Sequence, residues 1–169
     1  MLLLYGGSFD PPHNGHIRAA RRFLSDCPAE EVLIIPTGDA PLKEAHEAGA
    51  ADRIEMCRIA FKGIRQAKVS DIEMQRTGIS YTIDTVREIH ATHPMQDMVM
   101  LIGSDQLAQF PQWKDWEGIL ELSALHVLPR TRESSTFIRA NPSAHRDMLP
   151  PQVYEYIRQK GLYGIERTA

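Results

Sequence analysis

Leu2-Leu3-Leu4-Tyr5-Gly6-Gly7-Ser8-Phe9-Asp10-Pro11-Pro12-His13-Asn14-Gly15-His16 is the stretch whose reading decides the fold. Leu2 to Tyr5 is an unbroken apolar run, the pattern of a strand covered on both faces. The Gly pair and the Pro pair then force a turn, after which Ile17, Ala20, Phe23 and Leu24 recur at helical spacing. A strand that passes through such a turn into a helix leaves unpaired N–H groups and partial positive charge at the helix start, a natural place for phosphate. His13 and His16 are three apart, so in a first helical turn they share a face and add two imidazole donors. Donors so placed suit phosphoryl or nucleotidyl transfer, where charge develops on a polyphosphate. Gly15, lacking a Cβ, is expected to let a ligand approach the backbone. The same pair could chelate zinc, but no third ligand stands at convincing spacing.

Outward from this stretch, Val32-Leu33-Ile34-Ile35 is a second continuous apolar run, ended by Pro36. Lys68 to Ile72, Met98 to Ile102 and Leu125 to Leu128 read as further strands, and Arg53 to Ile64 and Tyr81 to Ile89 as helices, the latter with Ser80 or Thr82 near its N-cap. The alternation predicts an α/β fold: one doubly wound, Rossmann-like, mostly parallel sheet of five to six strands, helices on both faces and short helices at the C-terminal end. Thr37 to Ala51, rich in Gly, Ala, Pro and charge, follows the carboxyl end of the second strand, where open α/β sheets bind ligands, and reads as a mobile substrate loop. The absence of G-x-G-x-x-G argues against an ordinary NAD-dependent dehydrogenase.

The 169 residues fit a single domain, 1–169, large enough for a substantial core. Nineteen basic against 22 acidic residues, a net charge of -3, give no basic field for nucleic acid, so any nucleotide bound is expected to be a small molecule. Cys27 and Cys57 lack metal or redox spacing and fit a reducing compartment, here read as the cytoplasm. The N-terminal apolar run is too short for a leader or membrane anchor. Ser134-Ser135-Thr136, with Arg139 about one turn later, is a hydroxyl-rich helix start that suits either ordinary N-capping or a second phosphate cradle.

The Gly6 to His16 segment resembles the signature of the nucleotidyltransferase superfamily with a histidine-x-glycine-histidine motif, and Ser134-Ser135-Thr136-x-x-Arg139 is similar to that superfamily's late Ser-Ser-Thr-x-x-Arg motif. The resemblance implies that His13 and His16 bind and neutralise the ATP triphosphate. It places Ser134, Ser135, Thr136 and Arg139 on the phosphates opposite, with Arg139 counted as catalytic beside the histidines. Gly6, Gly7, Ser8, Phe9 and Gly15 complete the implied ATP site. Ser80-Tyr81-Thr82, Gly103-Ser104-Asp105 and Pro111-Gln112-Trp113 narrow the likeness to the bacterial nicotinate-nucleotide adenylyltransferase family. That implies Tyr81 and Thr82 beside the pyridine carboxylate, Gly103 and Asp105 at nucleotide sugar, and Trp113 stacked on the nicotinate ring, where an electron-poor pyridinium meets an electron-rich indole face. Trp116 carries no implied role and is expected to pack against Ile119 and Leu120. Arg53-Ile54-Glu55-Met56 and the ending from Leu149 to Tyr163 continue the resemblance over almost the whole chain.

Two departures stand out. The family's Pro-Pro-His-Lys is here Ala40-Pro41-Leu42-Lys43, leaving Lys43 alone for the mononucleotide phosphate, and only Pro129 to Glu133 separates the last strand from Ser134 where the family has a longer insertion. A missing edge strand and altered oligomer contacts would follow, and a homo-oligomer is left open. The expected reaction is attack of the nicotinate mononucleotide phosphate on the α-phosphorus of ATP, with Mg²⁺ carried by the ATP phosphates rather than by a protein metal site. The phosphate is already an anionic nucleophile, so positioning and charge neutralisation suffice. Nicotinamide mononucleotide or phosphopantetheine as acceptor, and a non-catalytic nucleotide sensor, are the competing readings.

Overall fold

The computed structural model describes residues 1–39 and 46–167. Five strands form one all-parallel sheet in the order β3-β2-β1-β4-β5: β1 Leu2–Gly7, β2 Glu31–Pro36, β3 Ala67–Val69, β4 Met98–Gly103 and β5 Ser123–Leu128. Between and after them run α1 Asn14–Asp26, α2 Ala50–Phe61, α3 Thr82–Thr92, α4 Ser104–Leu107, α5 Trp116–Leu122, α6 Ser135–Ala140 and α7 Pro151–Lys160. The register pairs Leu3 with both Val32 and Val99, which makes β1 the centre of the sheet.

Alternation along the strands divides the apolar residues between two cores. Leu3, Tyr5, Val32, Ile34 and Leu101 face a layer built by α1, α2, α6 and α7, including Phe23, Met56, Phe61, Ile138, Val153 and Ile157. Leu2, Leu4, Ile35, Met98, Met100 and Ile102 face α3 and α5 through Ile83, Val86, Ile89 and Ile119. Helices on both faces explain why β1, β2 and β4 read as continuous rather than alternating apolar runs. The chain winds outward through β2 and β3, then crosses back to β4 and β5. The carboxyl ends of β1 and β4 therefore flank the switch point, where open α/β sheets have their crevice.

The expected doubly wound sheet is present, with five strands. Its third strand is shorter than the run from Lys68 to Ile72, because only Ala67–Val69 pairs with β2. The second helix begins three residues before Arg53 and ends at Phe61. The third helix is capped by Tyr81 in extended conformation, with Ser80 and Thr82 on either side of the cap as expected, and runs on to Thr92. Trp116 packs against the α3/α5 core with Phe110 at 6.2 Å, while Ile119 is buried and Leu120 is exposed. Lys43 and Leu42 lie outside the described residues, as does the whole 40–45 part of the expected loop. The loop's end is anchored, since the Glu47 and Ala48 N–H groups donate to Asp10. Among the described residues no helix is long and apolar enough to cross a membrane.

Candidate active site

Two cavities open at the carboxyl ends of β1 and β4. The first, of about 460 Å³, is lined by every residue assigned to ATP from the sequence: Gly6, Gly7, Ser8, Phe9, His13, Gly15, His16, Gly103, Asp105, Ser134, Ser135, Thr136 and Arg139. The second, of about 570 Å³, contains Tyr81, Thr82 and Trp113. The two share Gly6, Gly7, Leu101, Asp105 and Gln106, so they form one continuous cleft floored by the Gly pair.

His13 is the N-cap of α1, in extended backbone, and His16 is the third residue of the helix. Their rings stack at 3.7 Å and 19°. The His13 N–H donates to His16 Nδ1 at 3.1 Å, so the proton of a neutral His16 sits on Nε2. Phe9 supports this stack from below: its ring is buried and meets His16 edge-on at 4.9 Å. Phe9 therefore gives the cleft shape rather than an exposed aromatic face. Burial lowers His13 to about 4, with Glu133 working against the shift and Arg18 adding to it, so the empty site holds a neutral imidazole at pH 7.

Gly15 has a structural part besides lining the first cavity. A Cβ there would stand 2.4 Å from Thr131 Oγ1, so the protein's own 129–133 segment makes a close approach at this position. The open position is Gly6, where a Cβ would meet nothing within 4 Å and would project into the space between the two cavities.

The late hydroxyl segment is tied to the early turn. Ser135 Oγ donates to the Pro11 carbonyl at 3.0 Å, and Arg139 Nη1 donates to the Asp10 carbonyl at 2.7 Å while its Nε reaches Glu47 Oε1 at 2.8 Å. The two predicted phosphate elements, over a hundred positions apart in sequence, thus face one another across the first cavity. Arg130 also lines that cavity, with Nη1 3.5 Å from Asp105 and its side chain 65% exposed, while the Arg132 side chain is 86% exposed.

In the second cavity Trp113 is half-buried and leans on buried Phe110 at 5.3 Å. Lys114 Nζ lies 4.2 Å above the Tyr81 ring and 3.4 Å from Asp84. The floor is a buried polar relay: Glu73 accepts from the Gly38 N–H at 3.0 Å and from the Thr85 hydroxyl at 2.8 Å, and Arg76 donates to Thr85 and Ser80.

Sequence reasoning missed several residues that hold this cleft. Arg53, only 2% exposed, donates from Nη1 to the carbonyls of Ser8 at 3.0 Å and Thr37 at 2.7 Å, joining the loops after β1 and β2. Asp10 accepts from Glu47 and Ala48 N–H and from the Tyr163 hydroxyl. Glu133 is buried against Arg18 at 2.5 Å. Each partner lies at least 16 residues away, so no local pattern signals it. The one available cue was a charged residue inside an otherwise apolar or turn segment.

The sequence profile of the cytidylyltransferase-like family matches residues 4–160. A protein of Aquifex aeolicus described as a probable nicotinate-nucleotide adenylyltransferase is 39% identical over 130 residues, 77% of each chain. A protein of Gemmatimonas aurantiaca with the same description is 33% identical over 191 aligned positions, covering 95% of this chain and 90% of the other. Among solved structures, the nicotinic acid mononucleotide adenylyltransferase of Plasmodium falciparum complexed with NaAD superposes with a TM-score of 0.79 over 98% of both chains at 18% identity, which establishes the shared fold.

Proposed function

The chain belongs to the cytidylyltransferase-like family, among the nicotinate-nucleotide adenylyltransferases, and we infer that its cleft transfers the adenylyl group of ATP to nicotinate mononucleotide, giving nicotinate adenine dinucleotide and pyrophosphate. The observation that carries this reading is the continuity of the two cavities at Gly6 and Gly7. A mononucleotide in the aromatic cavity extends its phosphate toward the junction, and a triphosphate beside the stacked histidines offers its α-phosphorus there. The new P–O bond forms as the bond to the β-phosphate oxygen breaks, and pyrophosphate leaves with the electron pair.

In this reading His16 Nε2–H, the α1 N-terminus and Arg139 neutralise the leaving pyrophosphate. Arg139 first exchanges its contact with Glu47 for phosphate, since the Glu47 carboxylate is exposed and returns to water. Ser134 and Thr136 offer hydroxyls to the same oxygens, while Ser135 keeps its O–H on Pro11 and presents only its oxygen and backbone. Asp105 and Gly103 face nucleotide sugar where the cavities join. Tyr81, Thr82 and Trp113 hold the pyridine, and Lys43 is assigned the mononucleotide phosphate. No Ser, Cys or general base is needed, because the acceptor is already an anion. ATP enters as its magnesium complex; the cleft presents cations and N–H donors to phosphate, and among the described residues no three acidic, Cys or His side chains converge on a metal position.

Lys114 favours the acid over the amide acceptor, because a cation at the aromatic cavity attracts a pyridine carboxylate and gains nothing from a carboxamide. The test is pyrophosphate release from ATP and Mg²⁺ with nicotinate mononucleotide, nicotinamide mononucleotide and phosphopantetheine in parallel. Release with a strong nicotinate preference is expected. Equal rates with the two mononucleotides remove the roles of Thr82, Trp113 and Lys114 in selectivity, and no release with any acceptor leaves a nucleotide sensor.

A further inference from the structure

Two polar atoms in the ATP cavity are buried without a hydrogen-bond partner, His13 Nδ1 and Glu133 Oε2. Both lie 3.0 Å from one point, the position a Cβ on Gly15 would take, so they border the same small space, with Thr131 Oγ1 2.4 Å from that point. The residues are 5% and 6% exposed, and both line the first cavity. An orphaned buried acceptor and an orphaned imidazole nitrogen each carry a desolvation cost that a single N–H···O bond would relieve. We propose that Glu133 is a positioning residue for His13, its Oε2 taking the Nδ1–H of that imidazole so that Nε2 faces the ATP phosphates as a donor. This assignment rests on the adenylyl-transfer reading of the cleft.

The carboxylate is built to stay where it is. Its other oxygen, Oε1, is held by Arg18 at 2.5 Å and faces Arg132 at 3.8 Å, so Oε2 is the oxygen left toward His13. Burial opposes the charge on Glu133, but the Arg18 guanidinium, the residue's own N–H and the Thr131 hydroxyl together hold its carboxyl below the usual range. Glu133 directly precedes Ser134, the N-cap of α6, so one turn sets both the carboxylate and the hydroxyls. Gly15 leaves room for the Thr131 hydroxyl beside these two atoms, since a Cβ there would stand 2.4 Å from Thr131 Oγ1.

The charged and titratable groups around His13 are few. From α1 they are Arg18 and the stacked His16; from the 129–134 turn they are Glu133 and, beyond it, Arg132. Asp10 turns its carboxylate away to Glu47, Ala48 and Tyr163. With ATP absent, burial keeps the ring neutral. A triphosphate at Nε2 places anions on both sides of the ring, and the doubly protonated form then has an acceptor for each N–H. Glu133 thus lets His13 become a cation only when phosphate is present to use it.

The experiment is NMR of His13 ring ¹⁵N and ¹³C signals in the full-length protein with Mg²⁺ and a non-hydrolysable ATP analogue, for wild type, E133Q and E133D. In wild type, Nδ1 is expected to be protonated in the complex, with a titration midpoint raised by at least about one pH unit over the free protein. In E133Q the midpoint in the complex falls back by about that amount. Its kcat drops on the order of tenfold to a hundredfold with a smaller change in KM for ATP, and the alkaline limb of kcat moves to lower pH, since activity needs the protonated ring. E133D restores part of each. An unprotonated Nδ1 in the wild-type complex, or a midpoint that E133Q leaves unmoved, overturns the proposal, as does an altered Mg²⁺ dependence with an unmoved His13 signal. The NMR measurement needs no acceptor, so wild-type turnover with nicotinate mononucleotide fails or succeeds separately.

Discussion

Replacing Asp10 tests the architecture that holds the cleft together. The Asp10 side chain, in a residue 2% exposed, accepts the Glu47 N–H at 2.8 Å, the Ala48 N–H at 3.1 Å and the Tyr163 hydroxyl at 2.6 Å. Burial, and the Asp10 carboxylate it bonds to, push the Tyr163 phenol far above its ordinary range, so it stays a donor at any working pH. Asp10→Ala leaves three donors without an acceptor. At about 1–3 kcal/mol for each of the three buried orphans, the loss is about 3–9 kcal/mol, a large share of the ~5–15 kcal/mol that stabilises a typical domain. Asp10→Asn keeps one acceptor oxygen but turns an NH₂ toward a donor, and about 2 kcal/mol is expected. The assay is urea unfolding at pH 7, read as the shift in midpoint at constant slope. Tyr163→Phe in a double-mutant cycle with Asp10→Asn isolates the charge-assisted bond, with an expected coupling of about 1–2 kcal/mol. Asp10→Ala costing less than about 1 kcal/mol, or a cycle that is additive within about 0.5 kcal/mol, would refute the account of Asp10 as the joint between loop and C-terminal segment.

Three shorter predictions concern the site. His16→Ala should lower kcat at least about a hundredfold with an unchanged circular dichroism spectrum, the scale of losing a donor to developing charge; near-normal turnover in the folded variant rejects that role. Because His13 is lowered from 6.5 to about 4, the unfolded chain binds its proton first as the solution is acidified. Stability from this residue is therefore complete above about pH 6.5 and falls by about 3 kcal/mol toward pH 4, and thermal melts of the ligand-free protein should lose that pH slope in His13→Asn. Trp113→Ala should raise KM for nicotinate mononucleotide about tenfold while KM for ATP stays put, as expected for loss of one aromatic stack of ~1–2 kcal/mol; parallel changes in both would move Trp113 out of the acceptor subsite.

Much of the cleft was legible because its signals are local. A buried strand, a Gly-rich turn and a helix start can be read within fifteen residues, and the spacing that stacks His13 on His16 is set by one turn of α1. The hydroxyl segment at Ser134 was similarly visible. What was less visible depended on a neighbour. A Cβ on Gly15 would stand 2.4 Å from Thr131 Oγ1, and the run from Lys68 to Ile72 pairs with β2 only as far as Val69. Tyr81 caps α3 through its backbone, which a search for capping side chains does not find.

By itself, the sequence determined the winding of the sheet and marked the histidine and hydroxyl segments, since each rests on periodicity or on residues close together in the chain, whereas the aromatic cavity, with Tyr81 and Trp113 far apart in the chain, was implied only by resemblance. The tertiary structure alone decided how buried charge is satisfied. Asp10 and Tyr163 are 153 positions apart, Arg18 and Glu133 are 115, and Arg53 and Ser8 are 45. A carboxylate or guanidinium in a low-dielectric interior must find its partner wherever the fold brings one, and that partner is fixed by which elements meet across the sheet rather than by anything in the surrounding sequence.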